Sequence, residues 1–390
     1  MSFTSFCVVI LLAAGHAELQ AVAINRIHGL ALPEWVLKFT QRLHDVAIIA
    51  FPIALLGMVW LGPSWFQEAD FQQAPIGWRV VAGVCGVGLL SLVASSIRWQ
   101  IRRPASTQIS ADSRIVDYRT KLGSRCLGNG PHRIIARLPF NEVCQVEFQE
   151  QQFHCSRLPT AWDGFSILHL SDFHLIGTLS LDFFREVCAE VNDQPYDLVV
   201  FTGDLFDDIS HVSWLPETLG KLHGRLGQYF ILGNHDERQD SAVIRTAVSD
   251  LGWQDVSGRV CELSDRGHRL EIAGTEWPWM SEHPPLSVQS STGFRILLSH
   301  TPDHFQWAQR HDVDVMLSGH NHGGQVILPV IGPVYAPSLQ GVKHSAGSWY
   351  REPTLMHVSR GLSGEIPLRW NCRPTVTKLV LSSTTTPKVS

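Results

Sequence analysis

Five short blocks of this chain concentrate side chains able to hold divalent cations: Asp172-Phe-His174, Gly203-Asp204, Gly233-Asn-His-Asp236, His300 and Gly319-His-Asn-His322. Carboxylate oxygens, an amide oxygen and imidazole nitrogens are the donors that suit hard-to-borderline metals. A lone His-x-His carries little information, so the weight rests on the ordered set. Asp172 and His174 lie two positions apart, as do His320 and His322, and on an extended strand end such pairs project the same way. Neighbouring glycines let the backbone turn sharply and come close to whatever the side chains hold.

With these blocks, over roughly Phe165–Leu381, the chain resembles the calcineurin-like metallophosphoesterases, whose pattern is Asp-x-His, Gly-Asp, Gly-Asn-His-Asp/Glu, His and Gly-His-x-His. The resemblance implies a four-layer αββα sandwich and two divalent ions (Mn, Fe or Zn). Asp172, His174 and His322 would hold one ion, Asn234, His300 and His320 the other, and Asp204 would bridge them. Such a pair acidifies a shared water, polarises phosphoryl oxygens and favours an anionic phosphoester substrate. His235 would protonate the leaving oxygen, a task that suits a group titrating near neutral pH, and Asp236 would hold or tune its imidazole. Asp207 and Asp208 read as loop-capping or solvated carboxylates.

The stretches "GHNHGGQVILPVIGPVYAPS" and "HVSRGLSGEIPLRWNCRPTVTKLVL" look like the bacterial membrane-associated phosphodiesterase branch. That branch includes enzymes for phospholipid-like diesters and a group that hydrolyses UDP-2,3-diacylglucosamine. Here Asn321 stands where the branch commonly has Thr, and Glu276-Trp277-Pro-Trp279 replaces its usual acidic pair. Trp277, Trp279 and Met280 read either as loop packing or as an apolar lip for an acyl chain. Arg360 and Arg369 read as phosphate contacts or as ion-pair residues. Lipid-linked phosphodiester hydrolysis is the leading expectation. Cleavage of a nucleotide-sugar lipid pyrophosphate, or a catalytically silent binding module, stand beside it.

Every block follows an apolar, β-rich run: "FSILHLS", "DLVVFTG", "QYFILG", "RILLSH" and "VDVMLSG". Between the first two, Leu181, Phe184, Val187, Cys188 and Val191 recur at helical spacing. Alternation of this kind predicts an α/β sheet with its active groups beyond the carboxyl ends of strands. Upstream, "RIIARLPF" and "VCQVEFQEQQFHC" have strand character.

The first hundred residues differ in composition. Val46–Gln67 and Val80–Ile97 carry no Asp, Glu, Lys or Arg before Gln67 and Ile97 respectively, and each approaches the ~20 residues needed to cross a bilayer. Phe3–Ile24 is apolar but holds His16 and Glu18, which predicts either an interfacial helix or a helix-packing or functional site. Arg26, Lys38 and Arg42 lie between the first and second segments and Arg98, Arg102 and Arg103 follow the third, whereas the loop between the second and third has no Lys or Arg and carries Glu68 and Asp70. The positive-inside rule predicts that the C-terminal domain lies in the cytoplasm, and the resemblance implies an integral protein of a bacterial inner membrane. The expected division is 1–100 membrane region with two or three transmembrane helices, 101–162 linker and short β-rich segment, and 163–390 metallophosphoesterase domain. Its partners would be the bilayer and a phosphoester. A net charge of -5 supplies no basic field for nucleic acid. Eight cysteines without a Cys-x-x-Cys pair read as free thiols in a reducing compartment.

Overall fold

The computed structural model describes residues 3–67, 71–287 and 293–384, so Glu68 and Asp70 lie outside the described residues. Near the N-terminus the apolar runs form α1 (Phe3–His28) and α2 (Glu34–Leu61), then single-turn α3 (Ser64–Gln67) and α4 (Ile76–Gln100). The three long helices are each long and apolar enough to cross a membrane. α2 begins well before the uncharged run, because Lys38, Arg42 and Asp45 ride on its first turns.

α1 crosses α4 at bare backbone. A Cβ on Gly88 would lie 2.1 Å from the Gly15 carbonyl oxygen, and one on Gly15 would lie 2.0 Å from that of Cys85. Small residues at such a crossing let two helices gain close van der Waals contact where lipid offers no hydrophobic drive. Beside it, the Ser91 hydroxyl donates to Glu18 at 2.9 Å, and His16 stacks on Phe51 of α2 with ring centroids 4.2 Å apart. His16 and Glu18 therefore make helix-packing contacts.

This compact unit comprises Met1–Arg103 together with Leu328–Val342, a segment from far along the sequence. Asn25 holds that segment with both ends of its amide, donating to Val334 O (2.9 Å) and accepting from the Ala336 N–H (3.0 Å). Gln100 donates to Val330 O at 2.9 Å.

The second unit, Pro104–Ile327 with the residues from Lys343 onward, is built on two sheets. Its strands are β1 (Gln108–Asp117), β2 (Gln145–His154), β3 (Phe165–Leu170), β4 (Leu198–Thr202), β5 (Gln228–Ile231), β6 (Gln254–Asp255), β7 (Val260–Asp265), β8 (His268–Thr275), β9 (Phe294–Ser299), β10 (Val315–Ser318), and, after short β11 (Ile327–Leu328) and β12 (Gly332–Pro333), β13 (Gly347–Arg351), β14 (Thr354–Val358) and β15 (Thr375–Ser382). One sheet runs β1-β2-β15-β3-β4-β5-β6 and the other β13-β14-β10-β9-β8-β7. β1 and β2 extend the first sheet, so the β-rich part of the 101–162 stretch joins the sandwich. "RIIARLPF" departs from expectation: Arg133–Ala136 is one helical turn rather than a strand.

Ile167, Val200 and Ile231 from one sheet meet Ile272, Ile296 and Leu317 from the other in a shared core. The outer face of the first sheet is covered by two helices, Leu181–Asn192 with Phe183, Phe184 and Val187 buried, and Ser241–Ser249 with Ile244 and Val248 buried. Phe305 and Ala308, from helix Phe305–Arg310, pack with Leu297, Met316 and Met356 of the second sheet. The result is the expected αββα layering. β3, β4 and β5 are mutually parallel, as are β8, β9 and β10, so their carboxyl ends collect at one rim.

Candidate metal centre

All five blocks follow those strand ends directly, and their side chains converge. Donor atoms of Asp172, His174, Asp204 and His322 lie within 4.8 Å of one another, and so do those of Asp204, His300 and His320, with Asp204 common to both groups. Asn234 joins the second group through Oδ1, 3.1 Å from His300 Nε2. His174 Nε2 faces His322 Nε2 at 3.1 Å, and His320 Nδ1 faces His300 Nε2 at 3.1 Å.

The backbone geometry differs from the extended strand ends expected from sequence. Asp172, His174, Asp204, His320 and His322 have φ of 55°, 45°, 57°, 70° and 49°, all in the left-handed region. Each such non-glycine residue costs about 1–3 kcal/mol, and clustering of that kind marks functional sites. The strained loops are fastened to each other by backbone bonds from Asp172 N to Gly203 O (2.9 Å) and from His174 N to Asp204 O (3.1 Å). Gly319 is obligatory, since a Cβ there would come within 2.2 Å of Asp172 Oδ2.

Five of the seven candidate ligands are aimed by a second bond. Asp172 Oδ1 accepts the His320 N–H (3.0 Å) and Asp204 Oδ1 accepts the His235 N–H (2.9 Å). The other oxygens, Asp172 Oδ2 and Asp204 Oδ2, are buried without a hydrogen bond. His300 Nδ1 bonds Thr202 O (2.7 Å), His322 Nδ1 bonds Ser363 O (3.0 Å), and His174 Nδ1 bonds Asp207 (3.0 Å). Spending Nδ1 in this way fixes the tautomer and leaves Nε2 to ligate. Left to protons alone, two of the rings recruit positive charge. Burial would lower His174, yet Asp207 outweighs it and raises it to about 10; burial is likewise overcome at His300, which Asp204 raises to about 9. Orphaned carboxylate oxygens and convergent ring nitrogens are what a pair of divalent cations would satisfy.

Asp207 is the residue that sequence reasoning missed. Its carboxylate bonds His235 Nδ1 at 2.6 Å and His174 Nδ1 at 3.0 Å; burial opposes ionisation, but those two rings outweigh it and hold the pKa well below the usual carboxylate range. Its spacing of three residues after Asp204 was the available signal. Asp236, expected to hold His235, instead accepts the backbone N–H groups of Leu205, Phe206 and Gly233. Burial, with Asp204 nearby, pushes Asp236 up to about 6. Asp208 caps the next turn through the Ser210 N–H, as expected of a loop carboxylate.

Arg360 pairs with Glu147, while Arg369 is fully buried and donates to the carbonyls of His322 and Ser363. Trp279 packs its ring 4.8 Å from His320 and 5.6 Å from His300, while Trp277 is half-exposed. Glu276, at 0% exposure, accepts the Leu232 N–H, the Ser257 hydroxyl and Arg245 at 2.7, 2.6 and 2.6 Å. Its role is therefore to fix the β5 end that leads into Asn234 and His235. Glu276→Leu should destabilise this unit by about 3–5 kcal/mol, because Arg245 and the Leu232 amide lose their partner. Glu276→Leu with Arg245→Met should recover much of that loss in a thermal-melt double-mutant cycle. Additive losses would refute the pairing.

Comparisons with known proteins agree with this geometry. The family model for calcineurin-like phosphoesterases matches residues 165–324. The uncharacterised metallophosphoesterase YkuE of Bacillus subtilis is 33% identical over 254 residues, 62% of this chain and 88% of that protein. Phosphodiesterase YaeI of Escherichia coli is 28% identical over 222 residues, 56% of this chain and 82% of that protein. The UDP-2,3-diacylglucosamine pyrophosphatase LpxG of Chlamydia trachomatis is 26% identical over 270 residues, 54% of this chain and 81% of that protein. With strained, convergent donors in the family's order and a relative aligned along most of its length, the chain belongs to the calcineurin-like phosphoesterases and is a metal-dependent hydrolase of phosphoesters.

Proposed function

We propose that the protein is a membrane-anchored phosphodiesterase that uses two divalent cations on a lipid-like phosphoester at the cytoplasmic face. The observation that carries this reading is the double cluster sharing Asp204. Asp172, His174 and His322 would hold one cation, Asn234, His300 and His320 the other, and Asp204 both. When bound, the cations supply Lewis-acid polarisation of the phosphoryl group and an acidified water.

The remaining work falls to the chain's own groups. His235, hydrogen-bonded through Nδ1 to Asp207, would deliver a proton from Nε2 to the departing oxygen. Asp236 keeps the turn after β4 in place by accepting its amides, so that Asp204 stays aimed. Trp279 and Trp277 supply an apolar border, and Trp279 also limits the freedom of His300 and His320. The silent-module alternative is disfavoured because every candidate ligand position holds a competent donor. Support for membrane anchorage is the trio of apolar helices. Support for the orientation is the gathering of Arg26, Lys38 and Arg42 with Arg98, Arg102 and Arg103. A phosphodiesterase name among the relatives favours diesters, and the LpxG likeness favours pyrophosphate cleavage of a nucleotide-sugar lipid as the second reading.

The test is hydrolysis by the full chain in detergent, stripped with chelator and refilled with Mn²⁺. Bis(p-nitrophenyl) phosphate should be turned over at least about tenfold faster than the monoester, and only after refilling. Two bound metals without turnover of either ester would replace the diester reading with the pyrophosphate one.

A further inference from the structure

An exposed apolar surface on the catalytic unit is not used by the chemistry above. In the segment Pro131–Asn141, Ile134 is 82% exposed, Leu138 43% and Phe140 86%. Beside it, Ile366 and Trp370 are 47% and 40% exposed. The two stretches form one surface, because Asn141 laces them. Its Nδ2 donates to Ile135 O at 2.9 Å and to Pro367 O at 2.7 Å, while its Oδ1 accepts the Arg369 N–H at 3.0 Å. Phe140 and Trp370 border the same open cleft of about 450 Å³.

Phe140 also has φ 63°, a left-handed conformation that asparagine or glycine adopts far more readily than a bulky aromatic residue. A phenyl ring held in that conformation and left in water carries a cost twice over, and burial in a partner removes half of it. The segment carrying the ring is basic, and in the cleft beside it Asp117 and Glu142 are matched by Arg119 and Arg373. His132, Arg133 and Arg137 interrupt the apolar side chains, and no acidic residue lies between Pro131 and Asn141. On the neighbouring stretch the exposed acid is Glu365. Apolar side chains interleaved with arginine fit the boundary between anionic headgroups and acyl chains.

We propose that Ile134, Leu138, Phe140, Ile366 and Trp370, framed by Arg133 and Arg137, form an interfacial docking surface that inserts into an anionic lipid leaflet and supplies the metal centre with lipid headgroups. The proposal rests on the membrane reading given above. A chain carrying three such helices keeps a bilayer at high effective concentration, so even a weak surface would be occupied. The link to the chemistry is short. The stretch bearing Ile366 and Trp370 also carries Ser363 and Arg369, which bond the candidate ligand His322 through Nδ1 and the carbonyl oxygen.

The test uses the full chain in proteoliposomes with a nitroxide at Phe140→Cys, in a Cys7→Ser, Cys261→Ser background because those are the two native thiols not buried. Collision with oxygen is compared with collision with a nickel chelate, in phosphatidylglycerol and in all-phosphatidylcholine vesicles. In the anionic vesicles the oxygen-to-nickel ratio should rise about tenfold over the zwitterionic ones. A label that stays nickel-accessible in both overturns the proposal. So does a label shielded from both reagents in both lipids, since a protein or a second copy would then cover the surface. As a second arm, Ile134→Glu with Phe140→Glu should cut kcat/KM for a vesicle-borne phosphodiester about tenfold or more and leave bis(p-nitrophenyl) phosphate within about twofold. Equal loss on both substrates overturns the link to headgroup supply. If the parent turns over neither ester, the phosphodiesterase reading fails while the nitroxide still decides the docking.

Discussion

Asp204→Asn should lower kcat on bis(p-nitrophenyl) phosphate by about 10³-fold or more, which is ~4 kcal/mol of barrier, and should reduce bound metal from two ions per chain to one or fewer. The reason lies in how one carboxylate is divided. Oδ1 accepts the His235 amide, while Oδ2 lies 3.2 Å from His300 Nε2 and 3.6 Å from His174 Nε2, between the two donor groups. Asparagine can reproduce the first contact, so the loop should keep its shape, but it cannot supply the charge that two cations would share. A second readout separates folding from binding. At neutral pH the metal-free variant should melt somewhat below metal-free parent, because Asp204 is the carboxylate that favours protonated His300. Only the parent should gain stability on adding Mn²⁺, since a ligand that binds the native state alone raises its melting temperature. A variant that still binds two ions would show that Asp204 is not the shared group.

Asp207→Asn should produce a loss that depends on the leaving group. A p-nitrophenolate leaves without being protonated, whereas an alkoxide needs a proton in the transition state. General-acid catalysis contributes about 10²–10⁴-fold, so the loss on an alkyl phosphodiester should reach that range and the loss on the nitrophenyl ester should stay within about tenfold. His235→Ala should show the same asymmetry. Asp207 also bonds His174 Nδ1, so metal affinity should weaken, by about 10–100-fold as is usual when a partner behind a ligating histidine is removed. Assays at saturating Mn²⁺ separate the two effects. A uniform loss across leaving groups at saturating metal would assign Asp207 to metal support alone and leave His235 without a catalytic task.

The candidate ligands were legible in the sequence because type and position coincided. Each block followed a β-rich apolar run, and those runs became the parallel strands β3, β4, β5, β9 and β10. What was illegible depended on turns. Asp172 and His174 were expected on extended chain, yet both sit at positive φ, and sequence gives little warning when a non-glycine residue is forced there by its surroundings. The same turns decide the Asp207 and Asp236 roles. The chain after Gly233 folds into a single helical turn, Asn234–Glu237, that directs Asp236 back onto backbone amides and leaves His235 to Asp207. "RIIARLPF" had strand composition but no strand to pair with. It became a helical turn with Ile134 and Phe140 in solvent, an outcome set by tertiary context rather than propensity. The membrane helices were legible as charge-free runs. Their ends were not, because α2 carries charged residues through its first turns.

The return of Leu328–Val342 to the helices near the N-terminus has a practical corollary for anyone wishing to excise a water-soluble enzyme. Cutting the polypeptide at Pro104 would discard Asn25 and Gln100 while retaining the stretch they hold. Val334 O, the Ala336 amide and Val330 O would lose their partners, and Gly332 would lose the Trp99 ring it lies against. A clean excision therefore needs two cuts, with a short polar bridge spliced in place of 328–342.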